Sequence, residues 1–187
     1  EPLAEHIAWT TLRDKYDWRP EGFRDAVAMV GECDDPARQR QFPLLVALQE
    51  AGNAVVYGAA DSGDEAVVKA MLVSLLHDYD AAHLHAYIVD YGSQSFSAFS
   101  SAPQVGDVVL INDDEKIERL FGFFGKMVEK RRALLSRYGG SFERYSSKHD
   151  DCPSVVVVFN GVAAFTEANP RLEDALLAFI RDTTKNT

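Results

Sequence analysis

Positive charge is what this sequence has least of. Its 187 residues hold 19 Lys and Arg against 29 Asp and Glu, a formal net charge of −10. That balance repels a phosphate backbone, so a general nucleic-acid surface is not expected, although a local basic patch is still allowed. Cysteine is scarce too. Cys33 and Cys152 are the only two, with no metal-type spacing. Two lone thiols in a chain this long suit a reducing compartment and positions in or near the core. No apolar run approaches the roughly 18–20 residues of a membrane span, and no signal-peptide pattern is present. No Met precedes "EPLAEHIAW", so the chain reads as a piece of a longer protein. No Ser-His-Asp or Cys-His set stands at an informative spacing, so no residue is assigned as catalytic. His83 and His85 form an H-x-H pair without a third ligand, which reads as surface histidine rather than metal site. Internal repeats and low-complexity segments are absent.

What is present is an α/β pattern. Apolar residues make up 47% of the chain, enough for one domain with a sizeable core. In residues 1–25, Ile7, Trp9, Leu12 and Tyr16 outline a short helix face, and "WRPEGF" breaks it. An apolar run from Ala26 to Val30 ends in the acidic turn Asp34-Asp35-Pro36, and "FPLLVAL" reads as a second short strand. A strand at Val55–Tyr57 leads into a helix over 65–79, with Val68, Met71, Leu72, Leu75 and Leu76 on one side. "LHAYIVDYG" and "VGDVVLIN" are strands, separated by a polar loop with Phe96 and Phe99. A long amphipathic helix follows, with Ile117, Leu120, Phe121, Phe124, Met127, Val128, Leu134 and Leu135 as its stripe. Its acids come first and its bases last, matching the helix dipole, and Gly139-Gly140 stop it. "SVVVVFNG" reads as a strand buried on both faces of a parallel sheet. "NPRLEDALLAFIRD" is a last helix with Pro170 near its start. Alternating strands and helices predict a three-layer α/β domain with a mainly parallel sheet.

The stretch "VVYGAADSGDEAVVKAMLVSLL" places two glycines, Gly58 and Gly63, at the spacing of a phosphate-binding loop, G-x-x-x-x-G-K-[ST]. Such a loop holds phosphates with backbone N–H groups and a helix N-terminus. Its Lys reaches the outer phosphates and its hydroxyl ligates Mg²⁺. Here Asp64 stands in place of Lys and Glu65 in place of Ser/Thr, after Asp61 and Ser62. Two unit charges about 4 Å apart interact by roughly 4 kcal/mol at an effective dielectric of about 20, and Lys→Asp turns that attraction into a comparable repulsion. Asp64 and Glu65 also have an ordinary role, stabilising the first turn of a helix. The second half of a nucleotide site is an apolar strand ending in an acid that holds the metal. "VVVVFN" has the run, but Asn160 stands at the acid's place. Two altered motifs in the right order favour a P-loop ancestor over a flavodoxin-like or Rossmann-like domain.

The run "GECDDPARQRQFPLLVALQEAGNAVVYGAADSG" resembles the start of FtsK/SpoIIIE-type ATPase domains of type VII secretion systems. "LHAYIVDYGSQSFSAFSSAPQVGDVVLINDDEKIERLF", "KRRALL" and "VVVVFNGVAAF" continue the likeness in order, over roughly residues 26–182. Within that family the chain is similar to a late, degenerate domain, the third, of the membrane-anchored EssC/EccC coupling ATPases. The resemblance implies a RecA-like P-loop core over 26–187, with 1–25 as a linker from a preceding region. ATP and Mg²⁺ are the cofactors of active relatives, and none is firmly assigned here. The resemblance also implies a location on the cytosolic side of the cell membrane, anchored through other parts of the full-length protein. Its partners would be the neighbouring ATPase domains of the same chain and helical WXG100/Esx substrates, with no nucleic acid. The departures at Asp64, Glu65 and Asn160 imply a domain that does not hydrolyse nucleotide and acts in regulation, assembly or substrate recognition. The alternatives are an active ATPase with an unorthodox site or one completed in trans, and, further off, a DNA translocase. The chain ends at Thr187, before further strands of the family core, so an incomplete fold is expected.

Four further groups carry weaker signals. Asp90 and Asp113-Asp114 fall at strand ends, where open α/β sheets bind ligands. Lys130, Arg131 and Arg132 close a helix. Phe96, Phe99, Val105 and the stripe of the 117–135 helix form either core or an apolar groove for a helical partner.

Overall fold

A computed structural model describes residues 6–22, 26–59 and 62–186. Two compact units divide between Asp80 and Ala81. In the first, helix α1 (Trp9–Tyr16) precedes strands β1 (Val27–Asp35) and β2 (Arg40–Ala47), the single turn α2 (Leu48–Ala51) and helix α3 (Asp64–Asp78). The expected acidic turn joins the strands. Asp35 accepts a hydrogen bond from the Arg38 N–H at 3.3 Å over a tight turn at Pro36–Arg38. β1 and β2 pair antiparallel, Ala28 opposite Val46 and Asp35 opposite Arg40, with an irregularity between Met29 and Gly31.

Helix α3 buries Leu72 and Leu75 of the face that its apolar spacing predicts, and Ser74 beside them. Its side chains also complete β1. The Ser74 hydroxyl accepts from the Met29 N–H at 2.9 Å, and the Tyr79 hydroxyl accepts from the Val27 N–H at 2.9 Å. From α1, the Trp9 indole N–H donates to the Met29 carbonyl at 3.2 Å. Buried backbone groups that lack a strand partner must be met in some such way. Asp78, its side chain 1% exposed, pairs with Arg13 of α1 and accepts from the Ser74 hydroxyl at 3.4 Å.

The strand expected at Val55–Tyr57 is not found. Residues 54–58 belong to neither sheet, and Val55 and Tyr57 are 83% and 89% exposed. A β-branched run fits a pleated surface, but a strand exists only where a neighbour supplies its ladder.

The second unit holds strands β3 (Leu84–Asp90), β4 (Val105–Leu110) and β5 (Ser154–Asn160), with helices α4 (Asp114–Leu135), α5 (Phe142–Ser146), α6 (Val162–Ala168) and α7 (Glu173–Asn186). The sheet is parallel, in the order β4-β3-β5. Central β3 is buried on both faces. Val89 packs in one cluster with Val109, Ile117, Leu120, Phe124, Phe165 and Leu176, while Leu84, Ala86 and Ile88 of the opposite face are also fully buried. β5 is only half-buried beyond Ser154. Its apolar run predicted burial on both faces; its place at the sheet edge, with one ladder neighbour, accounts for the difference.

Helix α4 carries Asp114 and Glu115 in its first turn and Arg132 in its last. It passes into a short turn at Ser136–Tyr138 and stops where Gly139 and Gly140 take φ of +68° and +78°. The Gly140 N–H returns to the Leu135 carbonyl at 2.9 Å, as C-terminal glycine caps do.

Ser74→Ala leaves the buried Met29 N–H without its acceptor. A loss of about 1–3 kcal/mol is expected, read as a lower urea midpoint at unchanged slope.

Candidate functional site

The glycine loop precedes α3. A Cβ at Gly58 would stand 2.0 Å from the Ser62 hydroxyl and 3.0 Å from the Ser62 Cβ, so a side chain there would have to push Ser62 aside. The Ser62 N–H bonds the Ala59 carbonyl at 3.0 Å. Gly63 takes φ +85° as N-cap of α3, a conformation that costs a side-chain-bearing residue most. Asp64 and Glu65 then form the acidic first turn, and Glu65 pairs with Lys69 one turn on, at 3.3 Å. Asp61 lies outside the described residues.

Asn160 belongs to the second unit, at the C-terminal end of β5. It is in register with Asp90 at the end of β3. The Asn160 Nδ2 donates to Asp90 Oδ1 at 2.8 Å. Asp90 is fully buried. Its Oδ1 also accepts from the Gly92 N–H at 3.1 Å, and its Oδ2 from the Phe96 N–H at 3.1 Å. The Asn160 carbonyl accepts from the Tyr91 N–H at 2.9 Å. Close packing fixes the glycines on either side. A Cβ at Gly92 would lie 2.5 Å from Asn160 Nδ2, and one at Gly161 would lie 2.9 Å from the Gly92 nitrogen. An amide suits this place for a definite reason: it donates to a buried carboxylate, where a second carboxylate would repel it.

Of the other sequence candidates, Asp113 caps α4, takes Lys116 at 3.6 Å and accepts weakly from the Leu110 N–H. Arg131 donates to the Pro153 carbonyl and lies over the Phe142 ring, and Arg132 pairs with Asp182 at 3.2 Å. Phe96 and Phe124 are core residues, so the apolar groove reading is not realised at those two positions. The His85 ring meets the Ala81 carbonyl at 3.0 Å. No group of three potential metal ligands occurs among the described residues. Cys33 and Cys152 are free and half-buried, and burial pushes the Cys152 thiol up.

The residues following α4 form a cluster that sequence reasoning missed. The Tyr145 hydroxyl donates to Asp151 Oδ1 at 2.6 Å, the Tyr138 hydroxyl meets His149 Nε2 at 2.6 Å, and the Tyr145 and His149 rings stack at 4.6 Å. The bond to Asp151 pushes the Tyr145 phenol up to about 12 and holds the Asp151 carboxyl low. The aromatic spacing in "RYGGSFERYSSKHDD" was the available signal.

A three-stranded parallel sheet flanked by helices matches the RecA-like fold. The FtsK/SpoIIIE family profile matches residues 28–182, and the chain belongs to that family. It is 25% identical over 155 residues to the ESX secretion system protein EccC of Geobacillus thermodenitrificans, an alignment covering 82% of this chain and 10% of the relative. To the ESX secretion system protein YukB of Bacillus subtilis it is 24% identical over 183 residues, 97% of this chain and 12% of that protein. The chain thus spans about a tenth of the curated relatives it matches. Its fold is that of EssC ATPases 2 and 3 from Geobacillus thermodenitrificans, with a TM-score of 0.81 at 23% identity over 99% of this chain and 34% of that one. Thermomonospora curvata EccC ATPases 2 and 3, solved in complex with a signal sequence peptide, match with a TM-score of 0.75 at 21% identity over 92% of this chain and 32% of that one. Among the described residues no helix is long and apolar enough to cross a membrane.

Asn160→Asp sets a second carboxylate against Asp90. A loss on the order of 2–4 kcal/mol at neutral pH is expected. The new side chain repels Asp90 only when it is ionised, so the penalty sets in as pH rises through about 4 and shrinks as pH falls. Melting temperatures of both proteins across that range check it. Tyr145 gives a second test. Its raised folded-state value contributes stability that is present below about pH 10 and lost as pH rises through about 12. An ultraviolet titration should show a phenol ionising near 12 that Tyr145→Phe removes and Asp151→Asn shifts back toward the ordinary range.

Proposed function

We propose that this chain is a non-hydrolysing ATPase-like domain of a type VII secretion coupling ATPase. On this reading it lies on the cytosolic side of the membrane and acts in assembly, regulation or substrate recognition. The observation that carries the reading is the charge at the glycine loop. Asp64 and Glu65 occupy the first turn of α3, where a phosphate site needs Lys and a hydroxyl, and Glu65 already holds Lys69. A triphosphate approaching that turn meets carboxylates instead of cations. At the second motif, Asn160 supplies an amide that is taken by Asp90, and an amide brings no negative charge to a metal. The residues present do not fit Mg-ATP. Neighbouring ATPase domains of a longer chain and secretion substrates of the WXG100/Esx class are the partners this reading assigns. It draws support from the solved relative held with a signal sequence peptide.

Titration of the purified chain with Mg-ATP, followed by the amide chemical shifts of Gly58, Gly63 and Glu65, tests the reading, and no saturable shift is expected at the loop. Micromolar binding at those residues would overturn it and favour an active site of unorthodox chemistry. Asp64→Lys combined with Glu65→Ser replaces repulsion by attraction at the loop, and a gain in Mg-ATP affinity of about tenfold or more is expected.

A further inference from the structure

The turn that ends α4 and the short helix α5 after it carry a concavity of about 370 Å³, lined by Arg137, Tyr138, Gly139, Arg144, Ser147 and Lys148. Three of the five side chains among them are cationic and none is acidic. In a chain with ten more acids than bases, such a local excess goes against the whole-protein trend. Nor are the three spent on internal pairs. Neither Arg137, Arg144 nor Lys148 has a side-chain ion pair or hydrogen bond among the described residues. The nearby Asp151 carboxylate is engaged by the Tyr145 hydroxyl.

The backbone beneath them is held in place. Leu135, Phe142 and Tyr145 form a small buried cluster. The Ser141 hydroxyl caps α5 by accepting from the Arg144 N–H at 3.2 Å. Ser147 bonds the Arg144 carbonyl at 3.0 Å. A Cβ at Gly139 would stand 3.3 Å from the Arg144 guanidinium, so the bare glycine leaves that guanidinium room over the turn. The cations therefore project from a fixed platform, and their long side chains are left to close on a ligand.

The geometry points to an anion site here for a phosphate group, held by the guanidinium groups of Arg137 and Arg144 and the ammonium of Lys148. Guanidinium forks match phosphate oxygens in pairs, and the ammonium adds a point charge. The volume is at the small end of ligand sites and suits a free phosphate or diphosphate, or the phosphate of a lipid headgroup. This site is separate in sequence from the glycine loop, and its existence does not depend on what that loop binds.

The test is titration of the 187-residue chain with pyrophosphate, followed by calorimetry and by amide chemical shifts of residues 137–148. Saturable binding is expected, with perturbation at Gly139, Gly140 and Ser147 and weakening as salt screens the cations. Arg144→Gln and Lys148→Gln, both exposed and checked for folding by circular dichroism, should each weaken it by about tenfold. Arg119→Gln, at an exposed position near the start of α4, should leave it unchanged. A second arm measures sedimentation with phosphatidylglycerol vesicles against phosphatidylcholine vesicles. Binding in that arm alone, lost in the same two variants, assigns the phosphate to a lipid headgroup. Absence of both, up to millimolar pyrophosphate, would overturn the proposal. So would binding that the two glutamine variants leave intact.

Discussion

The second unit depends on the Asp90 carboxylate. Burying an ion of this size costs several kcal/mol, and the cost must be met on the spot. Three donors meet it: the N–H groups of Gly92 and Phe96 and the Asn160 amide. Charge-assisted hydrogen bonds of this kind contribute about 1.5–3 kcal/mol each. Together they turn the chain at the end of β3, seat Phe96 in the core and tie β3 to β5. The short distances around Gly92 and Gly161 follow from the same knot, since two strand ends joined through a side-chain bond have no room for a Cβ between them.

This knot gives Asn160 a place in the fold. An Asp there would share one end of the sheet with a carboxylate that is already buried, so the amide removes a conflict while keeping the strands in register. At the loop, the acids have a comparable second occupation. They favour the positive end of α3, and one of them anchors Lys69. In both places the side chain is well suited to holding the fold.

Much of the fold could be read from the order of residues, because long elements repeat their signal. The stripe from Ile117 to Leu135 and the runs in β3 and β5 are periodic or continuous over whole elements, and each was found where expected. The short elements were harder. α6 is seven residues and α5 is five, too few for a period to emerge. α6 is held by the burial of Phe165 and by Asn169, whose amide donates to Tyr91 and to the Phe165 carbonyl. The Asp90–Asn160 bond joins residues 70 apart in sequence, and no local pattern encodes a register between distant strands. Val55–Tyr57 shows the reverse case, a strong local preference for strand with no ladder to satisfy it.

The side chains that finish β1 impose a direction on the ribbon. With Ser74, Tyr79 and Trp9 occupying polar groups on the outer side of Val27 and Met29, a foreign strand approaching from that side would have to displace them before it could pair. Among the described residues these contacts guard the Val27–Met29 end of β1, so that end of the ribbon is closed to strand addition.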